Sequence, residues 1–203
     1  MKMEKFSELI KSSKHLIVPS YQRAFAWKEQ QVEQFIFDLL EMREKDYYYG
    51  HFIIEDTNGR FEIIDGQQRV TTFILFLIVC KLFKSNNNAY EFINKFETVD
   101  YDQNAFSNIS NLTIDDIKVL REFNTISLNR IFDALKYFIR KFEDKSLNIE
   151  CIDNYINTLM NAHISAHITY DKAVAVQIFE LQNTRGINLN LIEKVKAKLI
   201  NSA

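Results

Sequence analysis

Hydrophobic positions recur at helical spacing along most of the chain and alternate in a few short stretches. Phe6, Leu9 and Ile10 mark a short amphipathic helix, and Val32, Phe35, Ile36, Leu39 and Leu40 mark a longer one between Lys28 and Lys45. Gln68 to Phe83 is apolar on nearly every side, which predicts a helix at the buried centre of the fold. Helical patterns return at Ile114 to Phe123, Leu128 to Phe142, Ile149 to Met160, Lys172 to Leu181 and Asn190 to Ile200. Strand patterns are fewer. His15 to Val18 is held extended before Pro19. His51 to Glu55 and Arg60 to Ile64 flank Asp56-Thr-Asn-Gly59, whose Asn-Gly pair predicts a hairpin. Ala162 to Tyr170 alternates, with Ile164, Ala166 and Ile168 on one face, and predicts a half-buried strand.

The predicted strands fall before residue 65 and after residue 161, while residues 85 to 111 carry scattered asparagines and isolated aromatics that predict loops and short helices. The expected fold is therefore helix-rich α+β: one domain over residues 1–203, with a small sheet core at about 1–84 and 161–203 and a mostly helical insertion at about 85–160. Composition supports this. Four glycines and one proline are too few for a turn-dense β-sandwich or propeller, and 47% hydrophobic with 26% charged residues excludes the disordered classes. A net charge of -2 argues against coating nucleic acid by bulk electrostatics, so any DNA contact would use a local patch. Cys80 and Cys151 lie in separate helical stretches, which favours reduced thiols. The N-terminus interleaves lysine and glutamate, and the apolar run Phe73 to Cys80 falls far short of a membrane span. A cytoplasmic protein is expected.

Candidate chemistry gathers in three segments. In Phe61-Glu-Ile-Ile-Asp-Gly-Gln-Gln-Arg-Val-Thr-Thr72 a strand ends, Gly66 permits a tight turn and a helix begins with unpaired N–H groups. Such a helix start attracts phosphate, and Arg69 adds a bidentate cationic fork. Gln67 and Gln68 offer hydrogen bonds, and Asp65 can hold Mg2+ or orient water. The plainer reading, a turn followed by a solvated arginine, stays open. Tyr21-Gln22-Arg23 follows Pro19, whose fixed backbone delivers Arg23 to a defined place; Trp27 either stacks on a base or seals the core. In Phe179-Glu-Leu-Gln-Asn-Thr-Arg-Gly186, Gly186 sits where a left-handed residue ends a helix, so the segment is either a plain cap or a third part of the site.

Together these segments resemble the N-terminal domain of GmrSD-type modification-dependent restriction enzymes. The matching residues are Pro19-Ser-Tyr-Gln-Arg23 with Trp27, Gly50, Asp65-Gly-Gln-Gln-Arg-Val-Thr-Thr72 and Phe179-Glu-Leu-Gln-Asn-Thr-Arg-Gly186, within a resemblance running from about residue 6 to residue 200. The resemblance implies a ParB/sulfiredoxin-like core that binds a nucleoside triphosphate (GTP, ATP or CTP) with Mg2+ and, in some members, hydrolyses it, in a phage-defence system recognising or restricting modified DNA. It places Asp65, Gln67, Gln68 and Arg69 as catalytic, with Asp65 on the metal, and Arg23, Gly66, Arg69, Asn183, Arg185 and Gly186 around the nucleotide. A non-hydrolysing nucleotide- or DNA-binding module that signals to a separate nuclease is the alternative.

Family members usually carry a C-terminal HNH-type nuclease domain. His15, His51, His163 and His167 lack the HNH pattern, so this chain should not cut DNA alone, and a nuclease domain or subunit is the expected partner. Modified DNA is a further candidate partner, a homodimer stays open and no membrane is expected. Gln67 stands where sulfiredoxins place the catalytic cysteine, and Cys80 lies about three helical turns on, which argues against sulfinate reduction. His163-Ile-Ser-Ala-His167 lacks the glutamate of a zinc-protease helix, and no Gly-Lys-Ser/Thr phosphate loop occurs.

Overall fold

The hairpin is the centre of the sheet. In the computed structural model, which describes residues 2–42 and 47–185 (for 2 and 181–185 the backbone alone), β3 (Tyr48–Thr57) and β4 (Arg60–Asp65) pair antiparallel. Their turn is closed by the Gly59 N–H donating to Asp56 Oδ1 at 2.6 Å, with Asn58 at φ 56° as a primed turn requires. β1 (Lys2–Lys5), β2 (His15–Ile17), β5 (Phe96–Glu97) and β6 (His163–Thr169) complete a mixed sheet in the order β1-β6-β3-β4-β2-β5.

One face of the sheet carries the main core. Phe52, Ile54, Phe61 and Ile63 meet α1 (Phe6–Ser12) and α3 (Gln67–Phe83) in one cluster of buried residues. α3 is buried without interruption from Val70 to Cys80, as its all-round hydrophobicity requires. Behind it stand α2 (Glu29–Glu41) and α6 (Ile126–Glu143), whose rings reach α3 through Phe35–Phe76 at 5.7 Å and Phe76–Phe138 at 5.3 Å. α4 (Asp100–Ile109), α5 (Ile114–Val119) and α7 (Ile152–Asn161) add Phe106, Ile117 and Ile156 to the same cluster. Buried Asp102 accepts hydrogen bonds from Thr125 and Ser127, which ties α4 to the start of α6. On the opposite face Ile53 and Ile64 pack with Ala175, Tyr21, Ile178 and Phe179, so that α8 (Lys172–Arg185) and the loop after Pro19 cover the hairpin.

The α+β, helix-rich class agrees with the sequence reading, but the strand inventory needs correction. β1 reads as alternating charge, yet it pairs antiparallel with β6 from Lys2↔Ala166 to Lys5↔His163. β5 has two residues, too short for any periodicity, and pairs with β2 inside the stretch expected to hold no strand. Its parallel pairing to β2 joins the helical segment directly to the sheet edge. On β6, Ile168 is exposed and Ser165 buried, because Ser165 lies beneath Met3 and Tyr48, bonded to both. Asn183-Thr-Arg185, read as a loop between helices, continues α8 to Arg185. The helix expected over Asn190 to Ile200 lies outside the described residues. Among the described residues no helix is long and apolar enough to cross a membrane.

The hairpin also places Glu55 directly opposite Glu62. Glu62 accepts the Tyr21 O–H at 3.0 Å, and Lys172 sits 4.3 Å from the Tyr21 ring. Glu55 Oε2 is buried with no hydrogen-bond partner, and burial, then Glu62, raises the Glu55 pKa against the opposing pull of Lys172. A carboxyl whose folded pKa is raised binds its proton better in the folded state, so its charge destabilises the fold at neutral pH and ceases to do so as the pH falls through that raised value. Glu55→Gln is therefore expected to melt higher than the wild type at pH 7. The difference should shrink toward pH 4.5, the ordinary glutamate value, as thermal melts across that range would show.

Candidate functional site

The site forms where β4 passes into α3. Gly66 takes φ 97°, and a Cβ there would stand 2.3 Å from the Phe52 ring, so both conformation and space demand glycine. The first helical bond runs from the Val70 N–H to the Gly66 carbonyl at 3.1 Å. Among the described residues no side-chain cap bond closes the helix start, and no acidic residue occupies its first turn. The N–H groups of Gln67, Gln68 and Arg69 are thus left pointing out of the helix start, with the positive end of the helix dipole behind them.

Arg69 folds back over β3. Its Nη2 donates to the His51 carbonyl at 2.7 Å and lies 3.7 Å from Asp65 Oδ2, while the guanidinium carbon sits 4.9 Å from the Phe52 ring centre. Gly50 makes this possible: a Cβ on it would fall 1.8 Å from Arg69 Nη1. The Tyr49 O–H donates to the Arg69 carbonyl at 2.8 Å and secures the same turn from beneath. Arg69 is therefore a positioned cation and not the solvated first-turn residue of the plainer reading.

His51, given no role in the sequence reading beyond the missing nuclease pattern, belongs to this cluster. Its Nε2 is buried without a hydrogen bond and stands 3.8 Å from Asp65 Oδ2. Burial lowers its pKa, Asp65 pulls the other way, and Arg69 and His167 lower it further, so the ring is neutral at pH 7. The adjoining Gly50, one of the residues that carry the family resemblance, is the sequence signal that leads to it.

The two glutamines separate in role. Gln68 is turned toward the loop after Pro19, accepting the Ala26 N–H at 2.8 Å and donating to the Ala24 carbonyl at 3.1 Å. It clamps that loop over the helix start, and Arg23, next to Ala24, is exposed and makes no side-chain hydrogen bond or ion pair among the described residues. Gln67 makes no side-chain hydrogen bond among them. Trp27 is half-buried against the core. Asn183 and Arg185 lie in the last turn of α8, and Gly186 lies outside the described residues. α8 begins beside Tyr21 at Lys172 and packs on Ile53 and Ile64 through Ala175, Ile178 and Phe179.

Asp65 is one carboxylate with a guanidinium already beside it, and no group of three His, Cys, Asp or Glu that could hold a metal occurs among the described residues. That set suits Mg2+ brought in by phosphates, with Asp65 as a single protein ligand, and does not suit a metal held by protein alone. His163 and His167 lie on strand β6, not on a helix, so the zinc-helix spacing does not apply. Cys80 is buried within α3 and burial pushes its thiol pKa up, which removes it from thiol chemistry.

Comparison with curated proteins found no match. The family model described as the GmrSD restriction endonuclease, N-terminal domain, matches residues 6–200, which takes in the Asp65–Arg69 turn, the loop carrying Arg23, the Gly50–His51 edge and α8 alike. The chain belongs to the family of GmrSD restriction endonuclease N-terminal domains.

Proposed function

We propose that this domain of a restriction system binds a nucleoside triphosphate with its phosphates over the start of α3, hydrolyses it, and uses that cycle to control a nuclease domain or subunit acting on modified DNA. The observation that carries the reading is the uncapped helix start beneath a guanidinium held over Gly50. Three N–H groups and the helix dipole supply a fixed cradle for phosphate oxygens. Arg69 spends one donor on His51 and keeps the rest of its fork for the same oxygens. Arg23, exposed on a loop that Gln68 fastens to the helix, can close from the other side. Mg2+ would arrive with the phosphates and neutralise their charge, with Asp65 as its protein ligand.

A second reading, binding without hydrolysis, is favoured by one observation: Arg69 already lies 3.7 Å from Asp65, which leaves that carboxylate partly neutralised. Thermal melting with Mg2+ and each of ATP, GTP, CTP and UTP tests the binding. At 100 times Kd a ligand adds about 2.7 kcal/mol, worth roughly 5–10 °C for a chain of this size. Arg69→Ala is expected to lose that shift, and no shift with any nucleotide sinks the reading. Phosphate release that disappears in Asp65→Ala selects hydrolysis; binding without release selects the second reading.

A further inference from the structure

Arg69 has a second neighbour. Between α2 and the start of β3 lies an open recess of about 230 Å3, and its walls include Trp27, Gln34, Asp38, Tyr47, Tyr49 and Arg69. Tyr47 and Tyr49 stand with ring centres 5.7 Å apart and tilted, so they form a continuous aromatic wall. The rim is polar: Gln34 Nε2 donates to Asp38 Oδ1 at 2.7 Å, which orients the carboxylate and leaves its other oxygen open. The recess is therefore aromatic and apolar inside, acceptor-rich at the edge and cationic where Arg69 enters.

We propose that this recess is the base subsite of the bound nucleotide, taking a planar heterocycle against the tyrosine wall with N–H donors of its edge turned to Asp38. The inference rests on the nucleotide reading above and extends it from the phosphates to the base. Three features make a nucleobase the occupant. Arg69 and Gly50 belong both to the phosphate end and to the recess, so one ligand can span the two. Aromatic rings bind any base through its π-face, whereas a phosphate deep in the recess would lose its water against tyrosine rings. Asp38 accepts hydrogen bonds only, which matches amino and imino edges of bases and repels an anion. Trp27, open between stacking and sealing the core on sequence, packs against the core and also lines the recess.

The test compares nucleoside triphosphates with inorganic tripolyphosphate, which carries the phosphates and no base. Calorimetric titration of the full chain with Mg2+ is expected to find at least one nucleoside triphosphate binding tenfold to a hundredfold more tightly than tripolyphosphate, the range that stacking on an aromatic ring supplies. Asp38→Ala, on the half-exposed rim, and Tyr47→Leu are each expected to shrink that gap while leaving tripolyphosphate affinity unchanged. Melting curves without ligand confirm that each variant is folded, and Asp38→Ala keeps the test open if Tyr47→Leu is not. Tripolyphosphate binding as tightly as every nucleotide, or a gap that survives Asp38→Ala, overturns the base subsite and leaves the phosphate site standing. Binding of neither ligand overturns the nucleotide reading and this subsite with it.

Discussion

Phe76→Ala is expected to cost about 3–5 kcal/mol of stability, roughly 10 °C in melting temperature. The Phe76 ring has no exposure, and it meets Phe35 of α2 at 5.7 Å, Phe138 of α6 at 5.3 Å and Phe142 of α6 at 6.3 Å. Its removal leaves a cavity between three helices that cannot all move in at once, because α3 is also fixed to the sheet through Phe73 against Phe6 at 5.1 Å. Tyr101→Ala, at a ring 61% exposed in α4, is the control and should stay within about 0.5 kcal/mol. Since Phe76 and Phe138 share the contact, the helical segment and the sheet should melt in one transition. Circular dichroism and tyrosine fluorescence that report different midpoints would contradict this.

That packing explains which features could be read from the sequence. Asn58-Gly59 announces its turn because the backbone conformation is local, and α3 announces its burial because every face of it is apolar. β1 gives no such sign. Lys2 and Glu4 are held at a sheet edge by pairing with β6, more than 150 residues away, so the strand exists only because its partner does. β5 is likewise created by β2. At the site, the turn from Asp65 to Arg69 was legible as a strand-to-helix junction, since strand, glycine and helix are consecutive. What each side chain does was not. Gln68 reaches back to Ala24 and Ala26, and Arg69 to His51, through contacts between segments far apart in the chain. His51 becomes notable only when β3 sets it beside Asp65.

Gly50→Ala is the substitution in which these levels meet, and it is expected to damage both fold and site. An alanine at φ 114° is strained by about 1–3 kcal/mol wherever it lies. Here its methyl carbon would also fall 1.8 Å from Arg69 Nη1, so the guanidinium must leave its place. Leaving breaks the bond to the His51 carbonyl, a charge-assisted bond worth about 1.5–3 kcal/mol, and moves the cation off the Phe52 ring. A double-mutant cycle separates the two costs. In an Arg69→Ala background the obstacle is gone, so Gly50→Ala should cost the backbone strain alone, and the double variant should be more stable than the sum of the single losses predicts by about 1.5–3 kcal/mol. Strict additivity would mean that Arg69 does not occupy the space above Gly50 in solution. The same variant should lose the nucleotide-dependent melting shift at a temperature where it is still folded. In the proposed nucleotide site Gly50 would touch no phosphate; it matters because the Arg69 guanidinium lies directly over it.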